Sequence, residues 1–362
     1  MFKGFKTFTL QMVAGANAAT VAILLLTGYA SYVDPVNHPV LAQAGLAFPL
    51  FLFLNFGFFI FWLLFGLKQV MIPIVGFLLC CVPIRIYFPV NIPHDAPEGS
   101  IKVLSYNVFG FNPLEGSQPD SNPIMDYIAK SGADIVCLQE SNFVGDHQTY
   151  SDSVLAPIYA YRDTMLIPNG DCIGIFSKYP IVSKERIPYQ SKTNLSAAYW
   201  LKMGEDTVMV VNNHFESNGL THDEKENFKE MVKGEMSGRQ MKTESVRLLD
   251  KLAETSRRRA PEADAVARFL AKNEGESTIL CGDFNDNPIS YTRRVIADHL
   301  TDCYVSTAFG PGISYHLSGF YVRIDNIMCS SDWKPYGCRV DSKIKSSDHY
   351  PIYCWLEKQR KH

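Results

Sequence analysis

The side chains of this chain that could do chemistry lie where short apolar runs end in polar residues. These runs read VLSYN, IVCLQE, MVVNNH, ILCGDFN and RID, and KSSDHYPIY follows near the C-terminus. A strand of Ile, Val, Cys and Leu is buried on both faces, so a carboxylate at its end is partly desolvated unless it is paired or metal-bound. The candidates are, in chain order, Asn107, Glu140, Asn212, His214, Asp283, Asn285, Asp325, Asp348 and His349.

The residue types in this set indicate one class of reaction. Carboxylate and amide oxygens are hard ligands that suit Mg²⁺, with Mn²⁺ as the alternative. Two histidines with nearby carboxylates suit proton transfer near neutral pH. A hard cation beside such a pair favours attack by water on a phosphate ester. The set therefore predicts a metal-dependent phosphoric ester hydrolase.

The adjacent pair Asp348 and His349 leaves two interpretations open. Neighbouring side chains in a strand point to opposite faces, so only one of them could serve the interior of a sheet. The pair is therefore either a solvated turn or a loop from which both side chains reach one site.

Short strands that alternate with helices must position these residues. Apolar runs predict strands at 101–108, 134–140, 172–178, 197–203, 207–215, 277–284, 323–330 and 350–357. The charged segment 221–272 predicts one or two helices. Its triplet at 257–259, three arginines, is either a contact for a phosphate-rich partner or a helix-end charge run. The pattern as a whole favours a two-layer sheet core with helices outside.

The N-terminal third reads as a membrane sequence. It holds four Lys or Arg and three Asp or Glu in its first 100 residues. We expect three transmembrane helices at about 10–33, 40–66 and 69–89, since each apolar stretch supplies the roughly 20 residues that a span needs. Asn55 lies inside the second stretch and is expected to hydrogen-bond across helices.

Basic residues set the expected orientation. Lys3 and Lys6 precede the first apolar stretch, Lys68 lies between the second and third, and the other link has neither Lys nor Arg. The positive-inside rule then places the N-terminus in the cytoplasm and the C-terminal domain on the extracytoplasmic side. We expect a multi-pass protein of a bacterial inner membrane.

The charge of the remaining chain argues against an extended nucleic-acid surface. It carries 30 basic and 34 acidic residues, which is no basic field for tracking phosphates. The nine cysteines include no CxxC pair, so a zinc site is not indicated. Cys137 and Cys281 lie in apolar runs and are expected to be buried thiols.

Seven motifs occur in an order that resembles a known family. They read LSYNVFGFN, DIVCLQE, GIFSKYPI, VVNNHFES, CGDFNDNP, RIDNIM and SSDHYPI. Together they are similar to the endonuclease/exonuclease/phosphatase superfamily, which includes deoxyribonuclease I, exonuclease III-type enzymes, neutral sphingomyelinases and inositol polyphosphate 5-phosphatases. The resemblance covers roughly residues 100–358 and implies a four-layer α/β sandwich, two central β-sheets flanked by helices.

The resemblance also implies a metal site and a general base. Glu140 would be the principal Mg²⁺ ligand, with Asn107 and Asp348 beside it. His349 would be the base that activates water, and Asp325 would orient its ring.

Four further residues would handle the phosphate. Asp283 and Asn285 would hold the scissile phosphate and the nucleophile, and Asn212 would be a phosphate ligand. His214 resembles the first catalytic histidine of the deoxyribonuclease and sphingomyelinase branches, where it contacts the phosphate or protonates the leaving group. The exonuclease III branch has no histidine there, so His214 favours the other branches.

These expectations combine into one predicted organisation. Residues 1–90 form the transmembrane region, 91–100 a linker and 101–362 the catalytic domain of a membrane-anchored, Mg²⁺-dependent phosphoesterase of the phosphodiesterase or endonuclease type. Its partners would be the bilayer and a phosphate ester from a nucleic acid, a nucleotide or a phospholipid head group, and no protein partner is predicted. The alternatives are a sphingomyelinase-like lipid phosphodiesterase and a catalytically inactive membrane scaffold.

Overall fold

The core consists of two six-stranded mixed sheets packed face to face. A computed structural model describes residues 2–115, 121–168, 170–191 and 193–359. The first sheet has the order β11-β12-β1-β2-β4-β3 and the second the order β5-β6-β7-β8-β10-β9. The strands are β1 Ile101–Asn107, β2 Ile135–Gln139, β3 Tyr161–Leu166, β4 Cys172–Ser177, β5 Ile181–Arg186, β6 Leu195–Met203, β7 Asp206–His214, β8 Thr278–Asp283, β9 Thr301–Asp302, β10 Asp325–Cys329, β11 Trp333–Val340 and β12 Ile352–Lys358.

Helices cover the outer faces of both sheets and form the N-terminal region. They are α1 Phe2–Gly28, α2 Pro39–Ala42, α3 Phe48–Phe65, α4 Met71–Leu79, α5 Cys81–Tyr87, α6 Pro123–Lys130, α7 Asp146–Val154, α8 His222–Lys233, α9 Gly238–Lys272, α10 Tyr291–Ala297 and α11 Cys303–Thr307. Short 3₁₀ turns lie at Ala30–Tyr32, Gln43–Ala47 and Phe109–Phe111.

Three apolar clusters hold the four layers together. The central cluster fills the space between the sheets, where Val103 and Ile135 of the first sheet pack with Val210 and Ile279 of the second. A second cluster joins the other face of β8 to α9, and a third joins β1 and β2 to α6. Strands buried on both faces need a helix layer outside, so their unbroken apolar runs account for the sandwich. The expected fold class is confirmed.

The charged segment forms two helices with well-defined starts. The Thr221 hydroxyl accepts a hydrogen bond from the backbone N–H of Glu224, and the Glu224 carboxylate accepts one from the backbone N–H of Thr221. Ser237 and Gln240 repeat this arrangement at the start of α9. Such capping boxes satisfy backbone N–H groups that a first helical turn leaves free. Two helices therefore lie within 222–272, where the sequence predicted one or two.

Two N-terminal stretches are long and apolar enough to cross a membrane, Thr7–Gly28 and Pro39–Phe65. In an 18-residue part of each stretch, only 17% of the residues are buried by the rest of the chain, whereas the core helix of a soluble protein is mostly buried. The third expected span is not shown as one helix, because the 69–89 stretch divides into α4 and α5 at Cys80.

The three helices α1, α3 and α4 are linked by Asn55, which accepts a hydrogen bond from Asn17 Nδ2 at 3.3 Å and donates one to the Pro73 carbonyl at 3.1 Å. The expected hydrogen bonding of Asn55 across helices is confirmed.

The N-terminal helices are docked onto the sandwich by several contacts. Arg294 on α10 donates to the Ser31 carbonyl at 2.9 Å, and Arg323 donates to the Ile86 carbonyl at 2.5 Å. Ile289 packs in one apolar cluster with Leu24, Phe48 and Cys80. The ends of α1 and α5 and the start of α3 therefore all lie next to the sandwich. Residues 91–100 contain no helix or strand, and the linker boundary stays a prediction.

All nine cysteines are free thiols. Cys137 and Cys281 are fully buried in the cluster between the sheets, which confirms the expectation for both.

Gly282 makes the close approach of β8 to β7 possible. Its φ is +153°, and a Cβ atom added there would lie 2.2 Å from the Asn213 carbonyl oxygen. Because that neighbour is backbone in the adjacent strand, it cannot move aside as a flexible side chain would.

We predict that Gly282→Ala lowers the free energy of unfolding by at least about 3 kcal/mol, because the added methyl overlaps this backbone. Gly132→Ala is the matched control, since its φ is +69° and no atom lies within 4 Å of the added Cβ. Its loss should stay near about 1 kcal/mol. Thermal unfolding of the detergent-solubilised protein compares the two, and equal losses would show that the approach at Gly282 is not tight.

Candidate functional site

Strand register brings the polar residues of both sheets to one edge. In the first sheet, parallel pairing of β1 and β2 sets Asn107 opposite Gln139, directly before Glu140. In the second, His214 of β7 lies opposite Asp283 of β8. Since the carboxyl ends of parallel strands meet at one edge, each pair places its side chains together. Asp325, which begins antiparallel β10, also lies opposite Asp283.

Asp283 is the centre of the cluster. Its Oδ2 accepts a hydrogen bond from Asn107 Nδ2 at 3.1 Å and lies 3.6 Å from the Nε2 atoms of both His214 and His349. The carboxyl group is 1% exposed. Burial, opposed by the charge of His349, raises its pKa to about 6, and Asp325 adds to this rise.

His349 is held by a carboxylate on its other ring nitrogen. Its Nδ1 lies 2.9 Å from Asp325 Oδ2, and the ring of Tyr315 packs edge-on against it with centroids 5.1 Å apart. Burial lowers the pKa of His349, but the nearby charges of Asp325 and Asp283 outweigh this effect, so the pKa stands well above its ordinary value. The arrangement fixes both the tautomer and the orientation of the ring.

His214 has a similar carboxylate partner, Asp171, which the sequence analysis missed. Its Nδ1 lies 2.5 Å from Asp171 Oδ2. Burial lowers the pKa of His214, but Asp171, followed by Asp283 and Glu140, raises it to about 10. Asp171 comes directly before β4, which runs antiparallel to β2 and so starts where β2 ends. An acid before an apolar antiparallel strand was the signal that could have found it.

Glu140 is the more accessible part of the site, and buried Asn107 holds it in place. Asn107 Nδ2 donates to Glu140 Oε1 at 3.0 Å, while Asn107 Oδ1 accepts from the backbone N–H of Phe109 at 3.2 Å. The Glu140 side chain is 38% exposed, compared with 1% for Asp283. Glu140 also has a φ of +52°, a strained conformation that directs its carboxylate away from the line of β2.

The donor set fits a hard divalent cation. Five carboxylates, from Glu140, Asp171, Asp283, Asp325 and Asp348, surround two histidines, and such crowded negative charge is favourable only with protons or a cation nearby. One ligand atom from each of Asp283, Asp325 and His349 can be chosen within 4.8 Å of the others. Asp325 Oδ1 and His214 Nε2 are buried and have no hydrogen-bond partner among the described residues.

Asp348 and His349 both reach the cavity, so the loop interpretation of the pair is the one that the structure supports. The cavity has a volume of about 720 Å³ and is lined by both side chains together with Glu140, Asp283 and Asn285. Ser347 fixes the loop, because its hydroxyl donates to the Asn107 carbonyl at 2.8 Å.

Asn285 and Asn212 occupy different places. Asn285 lines the cavity and has a φ of +52°, and its backbone N–H donates to Asp283 Oδ1 at 2.8 Å. Asn212 is fully buried between the sheets, where its amide donates to the carbonyls of Leu138 and Gly174 at 3.0 Å. The structure therefore brings eight of the nine sequence-predicted residues to the site and leaves Asn212 beneath it.

Arg259 supports the loop that carries Asn285. Its guanidinium pairs with Asp286 at 3.1 Å and donates to Asn218 Oδ1 at 2.7 Å, and Asn218 donates to the Asn285 carbonyl at 3.2 Å. The Arg259 residue is 1% exposed and lies in the middle of α9. The arginine triplet was interpreted as a contact for a phosphate-rich partner or as a charge run at a helix end. Both interpretations are wrong for Arg259, because its side chain is buried against Asp286 and Asn218.

We predict that Arg259→Met lowers the free energy of unfolding by about 3–5 kcal/mol, because it leaves the buried charge of Asp286 without its partner. Arg258→Met is the matched control, since Arg258 is 54% exposed and pairs with Glu254 at the surface. Its effect should stay within about 0.5 kcal/mol. Chemical denaturation of both variants measures the difference, and a stable Arg259→Met protein would contradict the assignment.

Comparison with family models gives two matches. The model described as the endonuclease/exonuclease/phosphatase family matches residues 104–349, and a model described as a domain of unknown function matches residues 10–87. A search of curated proteins found no match.

Solved structures share the sandwich at low sequence identity. The human Nocturnin catalytic domain with bound sulfate aligns at a TM-score of 0.52 and 15% identity, over 75% of this chain and 97% of that one. An endonuclease/exonuclease/phosphatase from Bacteroides vulgatus aligns at a TM-score of 0.51 and 16% identity, over 72% of this chain and 100% of that one. Another from Beutenbergia cavernae aligns at a TM-score of 0.51 and 15% identity, over 72% of each chain. At these identities the likeness supports the fold alone.

Proposed function

This chain belongs to the endonuclease/exonuclease/phosphatase family, and on that premise we propose that it is a membrane-anchored, Mg²⁺-dependent phosphoesterase. Members of the family are hydrolases of phosphate esters, and the described site retains the groups that such chemistry needs. The observation that carries the proposal is the placement of two carboxylate-held histidines on either side of Asp283, both at 3.6 Å. An inactive scaffold has no need to keep this geometry.

His349 is the proposed general base. With Nδ1 held by Asp325, its Nε2 lies 3.6 Å from Asp283 at the cavity, where the neutral ring can accept a proton from the attacking water. A cation bound at the site would oppose the charge of Asp325 and Asp283 that raises the His349 pKa, and so would favour this neutral form. A ring that is already held in one orientation does not have to reorient before the proton is transferred, which lowers the activation free energy. Asp325 is therefore a positioning residue for the base.

His214 is the proposed partner for the phosphate and the leaving group. Asp171 holds its Nδ1, and its Nε2 lies 3.8 Å from Glu140 and 3.6 Å from Asp283 without a hydrogen bond in the described residues. A protonated imidazole at this position can donate to a phosphoryl oxygen or to the departing oxygen. Asn285 would hold the phosphate beside it, and Asn212, buried below, would position β7.

Glu140, Asn107 and Asp348 are the proposed metal-binding residues, with Mn²⁺ as the alternative ion. Their oxygen donors suit a hard cation, and the 38% exposure of the Glu140 side chain would let that cation keep some of its water. When bound, the ion would stabilise negative charge on the phosphoryl oxygens. Asn107 lies between Glu140 and Asp283, so it ties the metal-binding part of the site to the acid–base part.

The proposed localisation is a bacterial inner membrane, with the sandwich on the extracytoplasmic side. The exposed apolar surface of α1 and α3 supports membrane insertion, because exposed side chains such as Phe53 and Leu64 would otherwise face water. The segment after α1, the start of α3 and the end of α5 all contact the sandwich, which supports a proposed arrangement with three crossings.

We predict that His349→Gln lowers the turnover of bis(p-nitrophenyl) phosphate by about 10²–10⁴-fold, because the base is lost, and that Asp325→Asn lowers it to a similar extent. Release of p-nitrophenolate by the purified full-length protein in Mg²⁺ measures this. His299→Gln is the control, since His299 lies exposed after α10 and outside the cavity.

The metal dependence is checked in the same assay. Activity should stop in EDTA and return on addition of excess Mg²⁺. Activity that persists in EDTA, or a His349→Gln variant with a near-normal rate and an unchanged melting temperature, would refute the proposed mechanism.

We predict that a cysteine introduced at Glu235, between α8 and α9, reacts with a membrane-impermeant maleimide in intact cells. A cysteine at Gln69, between α3 and α4, should react only after the cells are opened, because it would lie in the cytoplasm. The parent chain gives the background from exposed Cys81. Labelling of Gln69→Cys but not Glu235→Cys in intact cells would reverse the proposed orientation.

A further inference from the structure

The cavity above the catalytic residues is polar at one end and apolar along its walls. Its polar end is formed by Glu140, Asp283, Asp348 and His349. Away from these residues it is lined by α8, α9 and the N-terminal segment, and its total volume is about 720 Å³. A phosphate alone would fill a small part of this space, so the substrate has room for a large second moiety.

Helices α8 and α9 supply one apolar wall. Phe228, Met231, Leu248 and Leu249 line the cavity, and Phe228 stacks on Phe320 of the opposite loop with ring centroids 3.9 Å apart. Leu249 is 37% exposed although it sits within an apolar surface. These helices are otherwise rich in charge, so the apolar side chains are concentrated on the face that looks into the cavity.

The membrane-anchor region supplies the facing wall. Leu46, in the turn before α3, and Pro49, in the first turn of α3, line the same cavity together with Tyr87 at the end of α5. Leu46 is 43% exposed, and the turn Gln43–Ala47 that carries it packs near Asn287 and Ile289, where Gly45 allows the close approach. The cavity therefore runs without interruption from the catalytic carboxylates to the residues at which the second apolar span begins.

The charge of the lining does not suit a nucleic acid. Among the described residues that line the cavity, Lys225 is the single Lys or Arg. Its ammonium group lies 5.5 Å from the Tyr315 ring centroid, and that ring packs against His349. A polynucleotide needs several cations that follow successive phosphates, whereas one lysine beside the catalytic histidine suits a single anionic head group.

We propose that the substrate is an amphiphilic phosphoester of the bilayer that holds the anchor, with its phosphate at His349 and its apolar chain between Leu46 and Leu249. This proposal rests on the proposed function, since it names the substrate class for the same site. The head group enters at the membrane surface, where α3 begins, and the apolar chain leaves the bilayer only over the short distance to the cavity. Burial of the chain against these walls supplies binding energy that a soluble phosphodiester lacks.

The first test compares methyl and octyl p-nitrophenyl phosphodiesters with the full-length protein in detergent and Mg²⁺. Each methylene that becomes fully buried strengthens binding by about fourfold, so KM for the octyl ester should be lower by at least about tenfold, with similar kcat. Leu249→Gln and Leu46→Gln should reduce that KM preference at least about threefold, because each places an amide in the apolar wall.

Matched controls separate this effect from partition of the octyl ester into micelles. Val246 lies on α9 with 52% exposure, Leu41 lies on α2 with 61% exposure, and neither lines the cavity. Val246→Gln and Leu41→Gln should keep the wild-type octyl-to-methyl ratio. Equal ratios in the lining and control variants would overturn the proposal.

The second test uses the protein reconstituted into vesicles of phosphatidylcholine, phosphatidylethanolamine, phosphatidylglycerol and sphingomyelin. We expect hydrolysis of at least one of these lipids, slowed at least about tenfold by Leu249→Gln but not by Val246→Gln. Hydrolysis of bis(p-nitrophenyl) phosphate that depends on His349, without cleavage of any of the four lipids, would overturn the lipid substrate and leave the phosphoesterase standing. Absence of hydrolysis of every ester would instead overturn the proposed function.

Discussion

The burial of Asp283 between two histidines is the constraint on which the rest of the site depends. An ionised carboxyl group that is 1% exposed is unfavourable unless positive charge and hydrogen-bond donors surround it. His214, His349 and Asn107 provide those partners, and Asp171 and Asp325 in turn hold the two histidines. The carboxylates then exceed the charges that the histidines can balance, which fits the proposed cation site.

This cluster requires the backbones of several strands to come unusually close. Gly282 lets β8 approach β7, and Glu140 and Asn285 leave their strands in the left-handed region so that their side chains turn towards the common edge. Such conformations persist only where surrounding structure holds them. Here the support comes from α9, whose buried Arg259 reaches the Asn285 loop through Asp286 and Asn218. Helix α9 therefore both lines the cavity and supports the loop that carries Asn285.

The N-terminal region has a comparable double role. Its helices expose apolar side chains over most of their surface, yet the turn Gln43–Ala47 and the start of α3 fit closely against the sandwich. That contact adds Leu46, Pro49 and Tyr87 to the lining of the cavity. N-terminal helices joined by a flexible linker would leave this edge open to solvent, whereas the docked helices give it an apolar wall.

The sequence by itself determined the fold class and eight of the polar residues that the structure brings to one edge. Unbroken apolar runs specify strands buried on both faces, and polar residues at their ends are local features that can be read along the chain, from Asn107 to His349. Asp171 was missed because its partner His214 lies 43 positions away. Asn212 was expected to bind phosphate and shares a strand face with His214, but it lies two residues further from the strand end and is buried against Leu138 and Gly174 of the other sheet.

Only the tertiary structure decided which of these groups touch. The interior position of Arg259, the division of the third apolar stretch and the cavity between Leu46 and Leu249 depend on packing between segments far apart in sequence. Their free energies arise from contacts that no local pattern encodes, since burial and ion pairing are set by the partners that the complete fold brings near.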